Sequence, residues 1–259
     1  MTMILTRRTG LTLAAAALGA GLLPRRPLAQ QATSPLGLAV EGGEVQVLPV
    51  DHASMVIRTP AGAIHVDPVG GAQKYAGLPE PALILVTHEH GDHFDLPTLE
   101  ALPAVRLITN QSVHDKLPDA MKERATVMAN GDAAEAMGMT IEAVPAHNTT
   151  EDRMQYHPVG RDNGYVLTIG GKRVYIAGDT EPTPEMLAMT DIAMAFLPMN
   201  LPYTMTVQQA AEAVAAFKPA VVVPYHHRDS DVEEFARLVA EGGSGSTVAL
   251  ADWYPAGQG

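Results

Sequence analysis

Six consecutive residues, His88-Glu89-His90-Gly91-Asp92-His93, bring three imidazoles and two carboxylates into one short stretch. Such groups cannot be buried side by side without partners, because each unpaired polar group in a core costs several kcal/mol. A bound cation would satisfy them, and Gly91 is expected to fold the backbone sharply enough for residues 88 and 90 to face one metal and 92 and 93 a neighbour. The bland alternative is a solvated loop, since apolar strands often end in polar turns. Three later positions share the setting: His147 ends Val144-Pro145-Ala146-His147, Asp179 ends Ile176-Ala177-Gly178-Asp179, and a His pair ends Val223-Pro224-Tyr225-His226-His227. Of that pair the Pro-x-His spacing favours His226 as ligand, with His227 the alternative, because one residue later the side chain projects to the opposite face. The chain has ten His and no Cys, which removes thiolate zinc sites, iron–sulfur clusters and thiol nucleophiles and leaves imidazole and carboxylate as the strong metal ligands. Zinc suits His and Asp, and Mn²⁺ or Fe²⁺ accepts the same set.

The elements that must position these groups read as a mixed α/β chain. Val45 to Val50, Ser54 to Arg58 and Ile64 to Asp67 are strand candidates, with Pro60-Ala61-Gly62 turning between the last two. The continuous apolar run Ala82 to Thr87 predicts a strand buried on both faces, and it delivers the chain directly to His88. Weaker strands are expected at Arg106 to Thr109, Thr126 to Met128 and Met139 to Val144, with helical or turn segments around Gln111 to Leu117 and Asp119 to Glu123. Gly164 to Ile169 and Arg173 to Ala177 flank Gly170-Gly171 and predict a tight hairpin. Ile192 to Leu197 and Ala220 to Val223 complete the main strands, and a last one is expected near Thr247 to Leu250. Thr206 and Gln209 form a Thr-x-x-Gln capping box for a helix that Pro219 must stop, and a second helix is expected over Val232 to Glu241.

At 259 residues with 46% hydrophobic content, the chain fits one globular domain with a core that needs no disulfide. That domain is expected over residues 44–259, without a second core or an internal linker. Residues 1–30 read as an export leader: Thr6-Arg7-Arg8, an apolar run from Leu11 to Leu23, then Pro24-Arg25-Arg26-Pro27-Leu28-Ala29. The paired arginines suggest twin-arginine export to the periplasm or beyond, with an ordinary secretory signal as the alternative. The run is shorter than the about 20 residues of a spanning helix, so no stable membrane anchor is expected after cleavage. Residues 31–43 read as a flexible joint. The formal net charge is −12, and the leader carries four Arg and no acid, so the remainder is more acidic still. A surface of that sign repels phosphate backbones, which argues against nucleic acid as a partner and leaves a small-molecule substrate.

The order His-x-His-x-Asp-His, lone His, Gly-Asp-Thr and Pro-x-His, with Asp67 in Val66-Asp67-Pro68 before them, resembles the metal signature of the metallo-β-lactamase superfamily over nearly the whole chain after the leader. The resemblance implies a four-layer αββα sandwich with a dinuclear site at one edge. It implies His88, His90 and His147 on the first metal, Asp92, His93 and His226 on the second, and Asp179 bridging them. Two divalent metals among five neutral imidazoles and two carboxylates leave a positive site that draws the pKa of a bound water toward neutrality, and the resulting hydroxide is the expected nucleophile. Asp92 is then placed to orient the attack and carry the proton to the leaving group. The absent Cys excludes the Cys-ligand β-lactamases, and His90 stands where oxygen-reducing di-iron relatives typically carry Glu. His52-Ala53-Ser54 before a strand, Val66-Asp67-Pro68 and Gly178-Asp179-Thr180 are similar to the branch of L-ascorbate-6-phosphate lactonase. An exported hydrolase of ester, lactone or related bonds is thus expected. A phosphodiesterase or lipid-headgroup hydrolase is the alternative, and a metal-binding protein without turnover a more distant one.

Beyond the ligands, the same resemblance puts His52 near the mouth of the site, against a capped turn beside Asp51. Tyr156 and His157 lie in a polar loop that either lines the substrate pocket or is ordinary surface. Asn200, Tyr203 and Thr204 could reach a substrate, although Tyr203 reads better as a packed aromatic. His65 and His114 read as structural, and the 13 Met as adaptable core filler.

Overall fold

The computed structural model describes residues 36–254. The expected leader and residues 31–35 lie outside the described residues. Two seven-stranded sheets carry the fold, each laid out in chain order. The first runs β1 (Gly37–Val40), β2 (Gly43–Asp51), β3 (Ser54–Thr59), β4 (Gly62–Val66), β5 (Pro81–Leu85), β6 (Arg106–Thr109) and β7 (Ala125–Val127). The second runs β8 (Ala133–Ala136), β9 (Met139–Ala146), β10 (Asp162–Ile169), β11 (Lys172–Ile176), β12 (Ile192–Pro198), β13 (Val221–Tyr225) and β14 (Thr247–Val248). In each sheet the first four strands are antiparallel and the remainder join in parallel. Helices α1 (Leu96–Ala101), α2 (Gln111–Lys116) and α3 (Asp119–Lys122) follow strands of the first sheet, and α4 (Pro184–Leu187), α5 (Val207–Phe217) and α6 (Val232–Glu241) follow strands of the second.

Three apolar layers explain why the sheets stack and why helices cover them. On β5, Leu83 and Leu85 point into the core between the sheets, while Ile84 and the following Val86 pack under α1 to α3. Period-two alternation with both faces apolar reads in sequence as one unbroken run. On the other sheet Met194, Phe196, Val223 and Tyr225 join the same inner core, and Ala195, Leu197 and Val222 face α4 to α6. The expected αββα order therefore holds.

Local signals account for the boundaries. Gly170 and Gly171 adopt φ of 50° and 75°, as the hairpin turn between β10 and β11 requires. The Thr206–Gln209 capping box forms at the start of α5, and Lys218, at φ 47°, closes the helix before Pro219. Two expectations are corrected. The joint assigned to residues 31–43 includes β1, which pairs with β2, and Leu36 is buried against the inner core with Leu38 and Val40 packed beside it. Its alternating apolar residues were masked by the glycines around them. Gly91 has no left-handed φ and open space where a Cβ would sit, so the turn after His90 does not depend on it. That turn is closed by the His93 and Phe94 N–H groups donating to the His90 carbonyl.

Candidate metal centre

Strand ends and loops from both sheets meet at one edge of the sandwich. β5 leads through Thr87 into His88 to His93, β11 leads through Ala177-Gly178 to Asp179, β13 leads to His226, and the β2–β3 turn supplies His52. Gly178 makes the approach of Asp179 possible: its φ is 65°, and a Cβ there would lie 2.9 Å from the Asn163 carbonyl oxygen. His52, Asp67 and His226 also take positive φ, at 49°, 45° and 46°. Non-glycine residues held there cost of order 1–3 kcal/mol each, and such strain concentrates at functional sites.

The side chains form three compact clusters: His88, His90 and His157; His88, His93 and Asp179; and His52, Asp92 and His226. Asp179 stands at the centre. Its Oδ1 is 3.3 Å from His93 Nε2, and its Oδ2 is 3.4 Å from His157 Nε2, 3.3 Å from His226 Nε2 and 3.9 Å from His88 Nε2. Asp92 Oδ2 lies 3.4 Å from Nε2 of both His52 and His226.

The outer nitrogen of each imidazole reports which way the ring is protonated. Thr87 donates its hydroxyl hydrogen to Asp67 Oδ2 at 2.7 Å, so at 3.0 Å it accepts from His88 Nδ1–H. His93 Nδ1–H donates to Asp67 Oδ2 at 2.8 Å, and His157 Nδ1–H to Asp162 Oδ2 at 3.0 Å. In its neutral form each of these rings turns a bare Nε2 lone pair inward. Nε2 of His88, His93 and His226 and Oδ1 of Asp179 are buried without a hydrogen-bond partner. Buried acceptors converging with nothing to accept from fit a divalent cation, and the donor set of imidazole and carboxylate suits zinc, manganese or iron.

The electrostatics of the rings differ. Burial lowers the pKa of His88 well below the usual imidazole range, with His93 adding to the effect. Burial opposes charge on His93 too, but Asp179 and Asp67 together overcome it and hold that ring well above the usual range, so a cation binding at Nε2 would displace a proton from it. Burial would raise the carboxyl of Asp92, and the His226 and His52 rings beside it outweigh burial, keeping the group ionised. His52 is lowered to about 4, chiefly by burial.

Of the expected ligands, His88, His90, Asp92, His93, Asp179 and His226 come together and His147 does not. Its Nδ1 turns to the Asn148 carbonyl at 3.1 Å, and its backbone is clasped by Thr180 and Glu181. The loop after β9 doubles back, with the Asn148 N–H donating to the His157 carbonyl at 2.9 Å, and it is His157 that enters the cluster. The residue ending the strand is thus spent on holding the loop. His227 is half-buried outside the cluster, its ring edge-on to Tyr254. Asp67 is fully buried behind His93. His52 is drawn into the cluster, while His65 is tied to the Pro79 carbonyl and stacked on Tyr75, away from the site.

A cavity of about 850 Å³ opens over the cluster, lined among others by Asp92, Tyr156, Asn200, Leu201, Tyr203 and Arg228. Tyr203 is 44% exposed and meets Tyr156 edge-on at 5.0 Å, so it is a wall of the cavity rather than a packed aromatic. Sequence reasoning missed Thr87, Tyr254, Asp162 and Arg161, whose guanidinium donates to both Asp162 oxygens at 2.7 and 2.8 Å. Asp162 and Tyr254 carry no motif, and only their hydrogen bonds to His157 and His52 disclose them.

Fold and centre together define a metallo-β-lactamase-type hydrolase. The profile of the beta-lactamase superfamily domain matches residues 62–227. A UPF0173 metal-dependent hydrolase of Pyrococcus horikoshii is 31% identical over 212 residues, covering 76% of this chain and 93% of that protein. The crystal structure of a metal-dependent hydrolase of Parabacteroides distasonis superposes with a TM-score of 0.77 at 40% identity, over 84% of this chain and 98% of that one. The metallo hydrolase Igni18 of Ignicoccus hospitalis, at 24% identity and a TM-score of 0.67 over 80% of this chain and 95% of that one, shares the fold. The chain belongs to the UPF0173 metal-dependent hydrolases of the beta-lactamase superfamily.

Proposed function

We propose that the chain hydrolyses a small-molecule ester or lactone at a centre of two divalent cations. His88, His90 and His157 would hold one, Asp92, His93 and His226 the other, and Asp179 would stand between them. Bound cations of this kind polarise the scissile group and ionise a coordinated water near neutral pH. The chain's own residues supply the rest. Asp67 and Asp162 fix the rings of His93 and His157 from behind. Asp92, whose side chain is 41% exposed where that of Asp179 is 3%, faces the cavity and can take up a proton at Oδ2 and return it to a leaving oxygen. Tyr156, Leu201 and Tyr203 offer an apolar wall to the part of the substrate that does not react.

The observation that carries this reading is the set of buried, unpartnered acceptors around Asp179. Arg228 is the only Lys or Arg among the described lining residues, which favours an ester or lactone over a phosphodiester. The lactonase resemblance of the sequence points the same way. Export rests on the arginine pair and apolar run of the leader, and N-terminal sequencing of protein recovered outside the cytoplasm tests it.

Elemental analysis should find about two metals per chain, and the loaded protein should turn over members of a panel of lactones, phosphodiesters and β-lactams, lactones first. Asp92→Asn is expected to retain most metal and lose at least about 10²-fold in turnover, the usual scale for removal of a general base. One metal or none, or an undiminished rate in that variant, would overturn the mechanism.

A further inference from the structure

His52, Asp92 and His226 are spaced as a third ligand set, yet the hydrogens around Tyr254 forbid that use of His52. The Tyr254 hydroxyl oxygen accepts two backbone N–H groups, from His227 at 3.0 Å and from Arg228 at 2.8 Å. Both lone pairs of the oxygen are then taken, and its single hydrogen remains to be given. The acceptor beside it is His52 Nδ1, at 2.7 Å. A hydrogen on Nδ1, in either the neutral or the charged ring, would put a third donor on a saturated oxygen. Nδ1 of His52 is therefore bare and Nε2 carries the hydrogen. This is the opposite of His88, His93 and His157, whose Nδ1 atoms face an acceptor.

Nε2–H of His52 is buried without a hydrogen-bond partner, and the carboxylate oxygen Asp92 Oδ2 lies 3.4 Å from that nitrogen, within reach of a small shift. The backbone that carries the ring is held on both sides. The His52 N–H is bonded to the Trp253 carbonyl and its own carbonyl to the His226 N–H, both at 3.1 Å, and the ring lies 3.7 Å from that of His226. We infer that His52 is not a metal ligand but a hydrogen-bond donor that positions Asp92, with its tautomer set by Tyr254. His52 is thereby a positioning residue of the hydrolytic centre proposed above, on which this inference rests. In the three-ligand grouping it takes the place of a donor to the carboxylate, not of a donor to a cation.

Long-range ¹H–¹⁵N spectra of the zinc-loaded, histidine-labelled protein should show His52 protonated at Nε2 and bare at Nδ1. Tyr254→Phe, which removes the only donor to Nδ1 among the described residues, should shift that ring toward the other tautomer. Metal content should be unchanged in His52→Ala and His52→Gln. With p-nitrophenyl acetate as probe, kcat of His52→Ala should fall about ten- to a hundredfold at nearly constant KM, as expected for a lost hydrogen bond to a charged group. His52→Gln, which keeps an N–H donor, should recover part of it. A hydrogen at Nδ1 with Nε2 bare, loss of a metal equivalent in both variants, or unchanged kcat in His52→Ala would overturn the inference. Absence of hydrolysis by the parent protein would count against the proposed function alone, since the spectra and the metal content decide the role of His52 without turnover.

Discussion

A histidine's usefulness to a cation depends on where its inner nitrogen lies and on what its outer nitrogen touches, and position decides between His147 and His157. His157 is backed by the Asp162 carboxylate, which fixes its ring with Nε2 inward beside His88 and His90, whereas His147, whose Nδ1 faces the Asn148 carbonyl, does not join that group. His157→Ala should therefore lose bound metal and His147→Ala should keep it, as read by elemental analysis after gel filtration. Asp162→Asn should weaken metal affinity about 10- to 100-fold, the range for partners that orient ligands from behind, measured by competition with a chromophoric chelator. Most of this was legible in sequence. His88, His90, Asp92, His93 and Asp179 follow strands whose apolar runs announce them, and the Pro-x-His spacing picked His226 over its neighbour. His157 was not, because it sits in a polar loop with no periodicity, and what brings it inward is a fold-back closed by one backbone hydrogen bond to Asn148.

Between residues and whole molecule, the loop after β9 shows how an irregular segment is made rigid enough to hold His157 in place. Glu181 is fully buried, and it accepts from the N–H groups of Thr149 and Thr150, the Thr150 hydroxyl and the Gln209 amide, with Arg153 paired at 2.8 Å. Gln209 also closes the capping box of α5, so helix and loop share one anchor. Removing that acceptor strands several buried donors at once, so Glu181→Ala should lower thermal stability and, by freeing the loop, metal content together. Gly178→Ala should destabilise by more than about 1 kcal/mol in denaturant titration, since φ is positive and the Asn163 carbonyl blocks the new Cβ. The capping box and the Gly170-Gly171 hairpin could be read in advance because their signals are local. β1 and β8 escaped because short edge strands rich in Gly or Ala acquire their conformation from the neighbour they pair with.

Across the molecule, several tyrosines are buried as neutral phenols. Tyr75 is pushed up to about 12, chiefly by burial, and burial likewise raises Tyr165, Tyr175 and Tyr225. Above the ordinary tyrosine value of about 10 the unfolded chain loses these protons while the folded chain keeps them, so stability falls as pH rises. For Tyr75 the loss is spread between pH 10 and its folded value of about 12. Denaturation midpoints measured from pH 8 upward should be flat at first and then drop through that window, without a matching change in metal content at the outset. The twofold likeness of the sheets, four antiparallel strands followed by parallel additions in each, was invisible in sequence because the two halves share no spaced motif, only an order of pairing.

That likeness has a consequence at the boundary between β7 and β8. His52, His88, His90, Asp92 and His93 come from the first sheet's half of the chain, and His157, Asp179 and His226 from the second's. A cation seated among them would add a rivet to two moieties already joined by apolar stacking, by hydrogen bonds such as that from the Asn163 N–H to the Thr87 carbonyl, and by a single crossing of the backbone between β7 and β8. Nicking the chain at Asn130-Gly131 should leave fragments that reassemble more tightly when zinc is supplied than when it is withheld.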